Sequence, residues 1–253
     1  MTDLLEKVVS ANGIIVAFVF AGLITLIANG LSKYLTADRI HGSAIAIAIG
    51  LLLAWLGGAL TGGTRGIADM PFLAGVGVLG GAMFRDFAIV ATAFGADLRS
   101  LRRAGWVGAL SVVLGVVLSF AAGALVAVAF GYTDSVAITT IGAGAATYIV
   151  GPVTGTALGA SSEVIALSVA AGLTKSILVM IGTPLVAPRI GLTTPQAALV
   201  YGGLMGTTSG VAAGLAATDQ KLVPYGAMTA TFYTGLGCLL APSVLFFVVQ
   251  SLV

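Results

Sequence analysis

The chain has 253 residues, 58% of them hydrophobic and 8% charged, with a formal net charge of +2 and a mean hydropathy of +1.12. Soluble domains carry about a quarter charged residues, so this composition excludes a water-soluble globular protein and requires a lipid bilayer. No basic stripe with interleaved aromatics is present, which excludes nucleic acid as a partner, and the lone cysteine, Cys238, excludes an intrachain disulfide and a cysteine-built metal site.

Asp3 and Glu6 precede the first apolar run, Ile14–Leu31. That run is too long for the apolar region of a signal peptide and no small-residue cleavage site follows it, so it is expected to stay as a membrane helix. About 20 apolar residues cross the hydrocarbon, and by that measure His41–Leu60, Pro71–Phe94 and Trp106–Phe130 are the next three spans. Together they form a predicted four-span bundle over residues 12–134.

From 135 to 253 the pattern changes to broken, hydroxyl-rich helices. Val136–Ser161 contains Gly142, Gly144, Gly151, Pro152, Gly155 and Gly159. Val164–Val186 follows, then the glycine-rich Ala197–Ala217, then Leu222–Leu252 with Pro224 and Pro242, which reads as one kinked or broken helix. The expected fold is an all-α integral membrane protein of about eight transmembrane segments, Gly/Pro-broken in its second half, with no soluble domain. The 36 glycines suit helices whose backbones approach closely in lipid.

The most basic loop holds Arg99, Arg102 and Arg103, and the loop before the second span holds Lys33, Arg39 and His41. If the first four spans alternate, both loops lie on one side. The positive-inside rule then makes that side cytoplasmic and puts the N-terminus outside. Beyond residue 135 the topology depends on whether the Gly-rich segments span or re-enter.

Two charged positions lie inside apolar runs. Lys175 is near the middle of Val164–Pro184, and Arg85 stands beside Asp86 within Pro71–Phe94. A charge at mid-bilayer costs roughly 2.5–3.5 kcal/mol on insertion scales, so it ordinarily faces a cavity or a partner. Pairing of Lys175 with Glu163 is a structural alternative, but twelve residues of straight helix separate them by roughly 18 Å. For Arg85 the structural reading, an ion pair with Asp86 or a helix end, is preferred over anion binding.

An internal echo accompanies the charges. Thr154-Gly-Thr-Ala-Leu-Gly-Ala-Ser-Ser-Glu163 and Thr208-Ser-Gly-Val-Ala-Ala-Gly-Leu-Ala-Ala-Thr-Asp219 are both small, hydroxyl-rich and closed by a hydroxyl residue and a carboxylate. Paired, interrupted segments of this kind point to the binding site of a secondary transporter, although tightly packed helix ends look similar. Anion binding needs positive charge and N–H or hydroxyl donors, which half-helix N-termini supply. The candidate substrate residues are therefore Lys175, Thr154, Gly155, Thr156, Thr207, Thr208, Ser209 and Arg85, with Thr139, Thr140 and Thr147 as further hydroxyls in the same stretch. A sodium ion takes hard oxygen ligands, for which the candidates are Asp86, Ser161, Ser162, Glu163, Thr218 and Asp219. The same hydroxyls and carboxylates equally suit helix caps. Tyr148, Tyr201, Tyr225 and Tyr233 could donate to a substrate, but interfacial tyrosines are ordinary.

Enzyme readings fail. One histidine excludes a multi-histidine metal centre, no HExxH or GxSxG occurs, and the GxGxxG match at Gly75–Gly80 lies in an apolar membrane run with no strand before it.

Ile40-His-Gly-Ser-Ala-Ile-Ala-Ile-Ala-Ile-Gly50, Gly80-Gly-Ala-Met-Phe-Arg-Asp-Phe-Ala-Ile-Val-Ala-Thr-Ala-Phe-Gly95, Tyr148-Ile-Val-Gly-Pro-Val-Thr-Gly155, Gly202-Gly-Leu-Met-Gly-Thr-Thr-Ser-Gly210 and the run from Asp219 to Cys238 resemble the MadM subunit family of malonate transporters. The resemblance covers nearly the whole chain. It implies the larger subunit of a two-component, sodium-coupled malonate carrier in a bacterial inner membrane, with a smaller MadL-type membrane subunit as partner and sodium as the co-transported ion. It supplies no binding residues, so the site assignments rest on the chemistry above. Malonate is a small dianion, and a negative-inside potential opposes its entry by about 2.3 kcal/mol per charge per 100 mV, so uptake needs accompanying cations. A proton-coupled or uncoupled organic-anion facilitator, and a scaffold whose partner holds the site, are the alternatives. The basic stretch at 97–105 is similar to the connectors of elevator-type anion carriers, an analogy of fold only.

Overall fold

A computed structural model describes residues 11–36, 42–63, 65–79 and 98–253, and all regular structure among them is helical. Arg39, His41, Arg85 and Asp86 lie outside the described residues. The chain divides into two units, Met1–Val90 and Ala91–Val253.

In the N-terminal unit α1 (Gly13–Leu35) packs on α2 (Gly42–Thr61), followed by two 3-10 turns (Gly66–Asp69 and Pro71–Leu73) and the short α3 (Ala74–Val78). The backbones of Gly13 and Gly75 touch, and a methyl group on Gly75 would collide with the Gly13 carbonyl. Ile15, Leu26, Trp55 and Leu60 are 62–76% exposed, a surface suited to lipid or to another membrane chain.

The second unit begins with α4 (Leu98–Ala129), which kinks at Gly105, where φ is 67°. Then come α5 (Ser135–Ala146), α6 (Val150–Leu158), α7 (Ser162–Val186), α8 (Pro195–Met205), α9 (Thr208–Ala216), α10 (Val223–Leu240), a π turn (Ala241–Leu245) and α11 (Phe246–Leu252). The last stretch is one helix interrupted by the π turn that contains Pro242, which resolves the open choice between a kinked and a broken element.

Four helices among the described residues are long and apolar enough to cross a membrane: Gly13–Leu35, Gly105–Ala129, Ser162–Val186 and Gln220–Leu252. Segments 136–161 and 197–217, counted in the sequence as single spans, each fold instead as two short helices. Arms of 12 and 9 residues in the first reach only about 18 and 14 Å, well short of a roughly 30 Å hydrocarbon core.

These short helices form two hairpins. In α5/α6 a Cβ on Gly151 would stand 2.8 Å from Gly144 Cα, and one on Gly155 2.8 Å from Thr140 Cγ2, so the arms run antiparallel. The tip is Thr147–Ile149, and glycine makes it possible to seat it against α7, since a methyl on Gly172 would collide with the Tyr148 backbone. The second hairpin, α8/α9, turns at Gly206 and Thr207. Gly206 adopts φ 69° to close α8, and the Tyr233 ring lies against it, leaving no room for a side chain. Its returning arm α9 lies along the later half of α7, with Gly210 against the Ser176 carbonyl and Gly214 against Thr183. The first hairpin therefore enters from the end where α7 begins, and the second from the end where α7 terminates.

Local chemistry fixes the arm boundaries. Asp134 caps α5 by accepting from Val136 N and Ala137 N at 2.9 and 3.1 Å. Thr194 caps α8, with Pro195 at its first position, and Thr207 caps α9. Each cap satisfies free N–H groups at a helix start, worth about 1 kcal/mol.

Candidate functional site

The two tips meet beside the middle of α7. Lys175 Nζ donates to Ala146 O at 2.8 Å, to Ser119 Oγ at 2.8 Å and to Tyr233 Oη at 3.1 Å, joining the first hairpin, α4 and α10. Tyr233 Oη passes its own proton to Gly115 O at 3.1 Å, and its ring faces the ammonium at 4.9 Å. The next residue on α7, Ser176, shares a buried hydrogen bond with Thr207 at the second tip. Tyr148 Oη and Ser209 Oγ, 3.3 Å apart, link the two hairpins directly.

The electrostatics follow from helix direction. Lys175 sits on the last carbonyls of α5, the negative end of that half-helix, where a cation is favoured. All three of its N–H groups are engaged, and it makes no ion pair with a carboxylate among the described residues. Both returning arms, α6 and α9, begin at the tips. Their positive dipole ends thus lie in the middle of the unit, which favours an anion, although the first N–H groups of α6, at Ile149, Val150 and Gly151, are already bonded to Thr147 and Pro152 has none.

Thr207 is fully buried as the α9 cap, the Thr208 hydroxyl is buried without a hydrogen-bond partner, and Ser209 faces Tyr148. These three and Lys175 are brought together. Thr154 is fully buried on α6 and its hydroxyl makes no hydrogen bond. Gly155 is a packing position against Ile165 and Thr140, and Thr156 is exposed.

Among the described residues the expected sodium ligands do not converge. Ser161 caps α7, accepting from Val164 N at 3.3 Å, with Ser162 and Glu163 exposed in its first turn. At the opposite end of the unit, Thr218 donates to Gly214 O at 2.8 Å and Asp219 accepts from Lys221 N at 2.9 Å. Helix α7 has 25 residues, about 37 Å, so its length separates the two sets. Glu163, in the first turn of α7, lies twelve residues before Lys175 and is not paired with it. Among the described residues no three His, Cys, Asp or Glu side chains cluster as a metal site.

Ser119, Ser176 and the contact role of Tyr233 were not singled out in the sequence. A serine inside an apolar helix carries no periodic signal, although Ser176 beside Lys175 is a readable hint. A cavity of about 1250 Å³, lined among others by Lys175 and its partner Ser119, lies between α4, α5, α7 and α8, and its walls are almost entirely apolar. Its size and lining do not suit a small dianion, which needs converging donors.

The family model for the malonate/sodium symporter MadM subunit matches residues 5–253, nearly the whole chain. No curated protein and no solved structure matches it.

Proposed function

Because the chain belongs to the malonate/sodium symporter MadM subunit family, and so is a transporter subunit with malonate as substrate and sodium as co-transported ion, we propose that the dianion binds between the two hairpin tips. The observation that carries this reading is the Lys175 ammonium, buried at the C-terminal end of α5 beside the two hairpin tips and unpaired with any carboxylate among the described residues. Taking such a charge out of water is costly unless a counter-charge offsets it, and a dicarboxylate supplies one.

In this arrangement one carboxylate meets the first N–H groups of α9 and the hydroxyls of Thr208 and Ser209. The other meets the Tyr148 hydroxyl in the field of the positive end of α6, whose first N–H groups are themselves bonded to Thr147. Lys175 acts through its field and by holding the Ala146 end of the first tip, since its own donors are already engaged. Parting of the Tyr148–Ser209 contact admits the anion.

The proposed topology has two re-entrant hairpins entering from opposite faces. Arg189, Lys221 and the start of α4 with Arg99, Arg102 and Arg103 share one end of the second unit, whereas Asp134 and Glu163 mark the other. By the positive-inside rule the first end is cytoplasmic. Movement of the hairpin pair as a body, in the elevator manner, is part of the same proposal, as is a bacterial inner membrane with a smaller MadL-type subunit as partner.

Substrate protection tests the site. In a Cys238→Ser background, Ser209→Cys is exposed to a small maleimide with and without malonate. Slower alkylation with malonate but not with acetate supports the site, and equal rates with both contradict it.

A further inference from the structure

Three buried side-chain oxygens among the described residues make no hydrogen bond: Thr139 Oγ1, Thr154 Oγ1 and Thr208 Oγ1. Thr208 belongs to the tip discussed above. Thr139 on α5 and Thr154 on α6 lie deeper in the first hairpin, and both are 0% exposed.

Hairpin register places these two on one layer. Gly144 stands opposite Gly151 and Thr140 opposite Gly155. Ala143 and Val150, beside the first of these pairs, belong to one buried cluster with Ala241 of the π turn. Thr139 precedes Ala143 by one helical turn and Thr154 follows Val150 by one turn, so both lie on those same faces, one turn further from the tip.

Their unmade bonds set them apart. Thr140, Thr174, Thr218, Thr231 and Thr234 each donate to the carbonyl four residues back, the usual way an apolar helix satisfies a hydroxyl. Thr139 and Thr154 forgo that bond although fully buried, which destabilises the fold unless another partner is bound. The π turn Ala241–Leu245 packs on both α5 and α6, and a π turn takes backbone carbonyls out of the regular ladder, often at functional positions.

We propose that Thr139 and Thr154 ligate the co-transported sodium ion, together with neighbouring backbone carbonyls, inside the first hairpin. The assignment rests on the symporter reading. Hydroxyl and carbonyl oxygens are the hard ligands such a cation takes, and no acidic cluster competes for that role among the described residues. An ion held there ties α5 to α6, and the tip they carry holds Tyr148 and the Ala146 carbonyl engaged by Lys175. Sodium binding thereby stiffens one wall of the anion site, the physical form of a coupling free energy between two ligands.

The test uses the chain assembled with its partner subunit in proteoliposomes, reading malonate uptake against sodium concentration. Thr139→Val and Thr154→Val remove the oxygen at nearly constant shape. Each is expected to raise half-saturating sodium by at least about tenfold, a size typical of a disturbed metal site, while half-saturating malonate at saturating sodium stays unchanged. Thr139→Ser and Thr154→Ser keep the oxygen and the wild-type sodium dependence. Where a valine variant does not assemble, Thr→Cys at the same position substitutes soft sulfur for hard oxygen and gives the same readout. The purified complex supplies a second readout, a rise in unfolding temperature with sodium over potassium that the valine or cysteine variants lose. Unchanged sodium half-saturation in both positions overturns the site, leaving a buried water or plain packing in its place. Wild-type uptake indifferent to sodium overturns the symporter reading and this site together.

Discussion

Lys175 and Ser176 are consecutive on α7 yet hold different hairpins: the ammonium takes the Ala146 carbonyl of the first, and the hydroxyl takes Thr207 of the second. One short stretch of a membrane-length helix thus locks two tips that enter from opposite ends. The arrangement has the form of an inverted repeat, in which a hairpin followed by a long helix occurs twice with opposite direction. A binding site at such a junction can be exposed to either face by moving the hairpins, which is how secondary carriers with discontinuous helices work.

Close seating of the first tip on α7 depends on Gly172. Gly172→Ala puts a methyl into the Tyr148 backbone and is expected to cost about 1–3 kcal/mol, the usual size of overpacking. Gly182→Ala, on the same helix with nothing within 4 Å of the added carbon, is expected to be neutral or to stabilise by up to about 1 kcal/mol through helix propensity. Thermal unfolding of the purified complex separates the two, and equal effects would contradict the packing described.

The contact between Tyr148 and Ser209 at 3.3 Å is expected to behave as a pair. Tyr148→Phe and Ser209→Ala each remove one hydroxyl and should weaken malonate binding by about 0.5–1.5 kcal/mol, roughly two- to tenfold in half-saturation. The double variant should fall little below the weaker single, giving a non-zero interaction energy in a double-mutant cycle. Fully additive losses would mean the two hydroxyls act independently.

Topology gives a third expectation. In a Cys238→Ser background, an impermeant maleimide applied outside intact cells should label Glu163→Cys and spare Asp219→Cys, because these positions mark opposite ends of the second unit. Labelling of both from one side would show that α7 does not cross.

Much of the second unit was legible in the sequence. The echo between 154–163 and 208–219 falls on the returning arms α6 and α9 with their exits, and Lys175 lies beside the tips of both hairpins. The hairpin fold was not legible, because a 26-residue apolar stretch reads alike whether it spans once or turns back. Thr147-Tyr148-Ile149 carries neither Gly nor Pro to mark the turn. Ser161, Glu163 and Asp219 misled for a different reason: a hydroxyl and carboxylate at a helix start have the same composition whether they cap backbone N–H groups or ligate a cation. Only the separation along α7 tells the two apart. Thr139 stood out merely as one hydroxyl among several, since its unmade back-bond is a property of the fold.

The most direct measurement of the central claim is labelled malonate uptake into proteoliposomes containing the chain and its partner subunit, driven by a sodium or a potassium gradient, for wild type and Lys175→Ala at matched protein levels. Accumulation above equilibrium with sodium and absent with potassium, with half-saturating malonate raised at least about tenfold by Lys175→Ala, is the expected result. Undiminished sodium-driven accumulation in Lys175→Ala would contradict the placement of the anion site beside this residue.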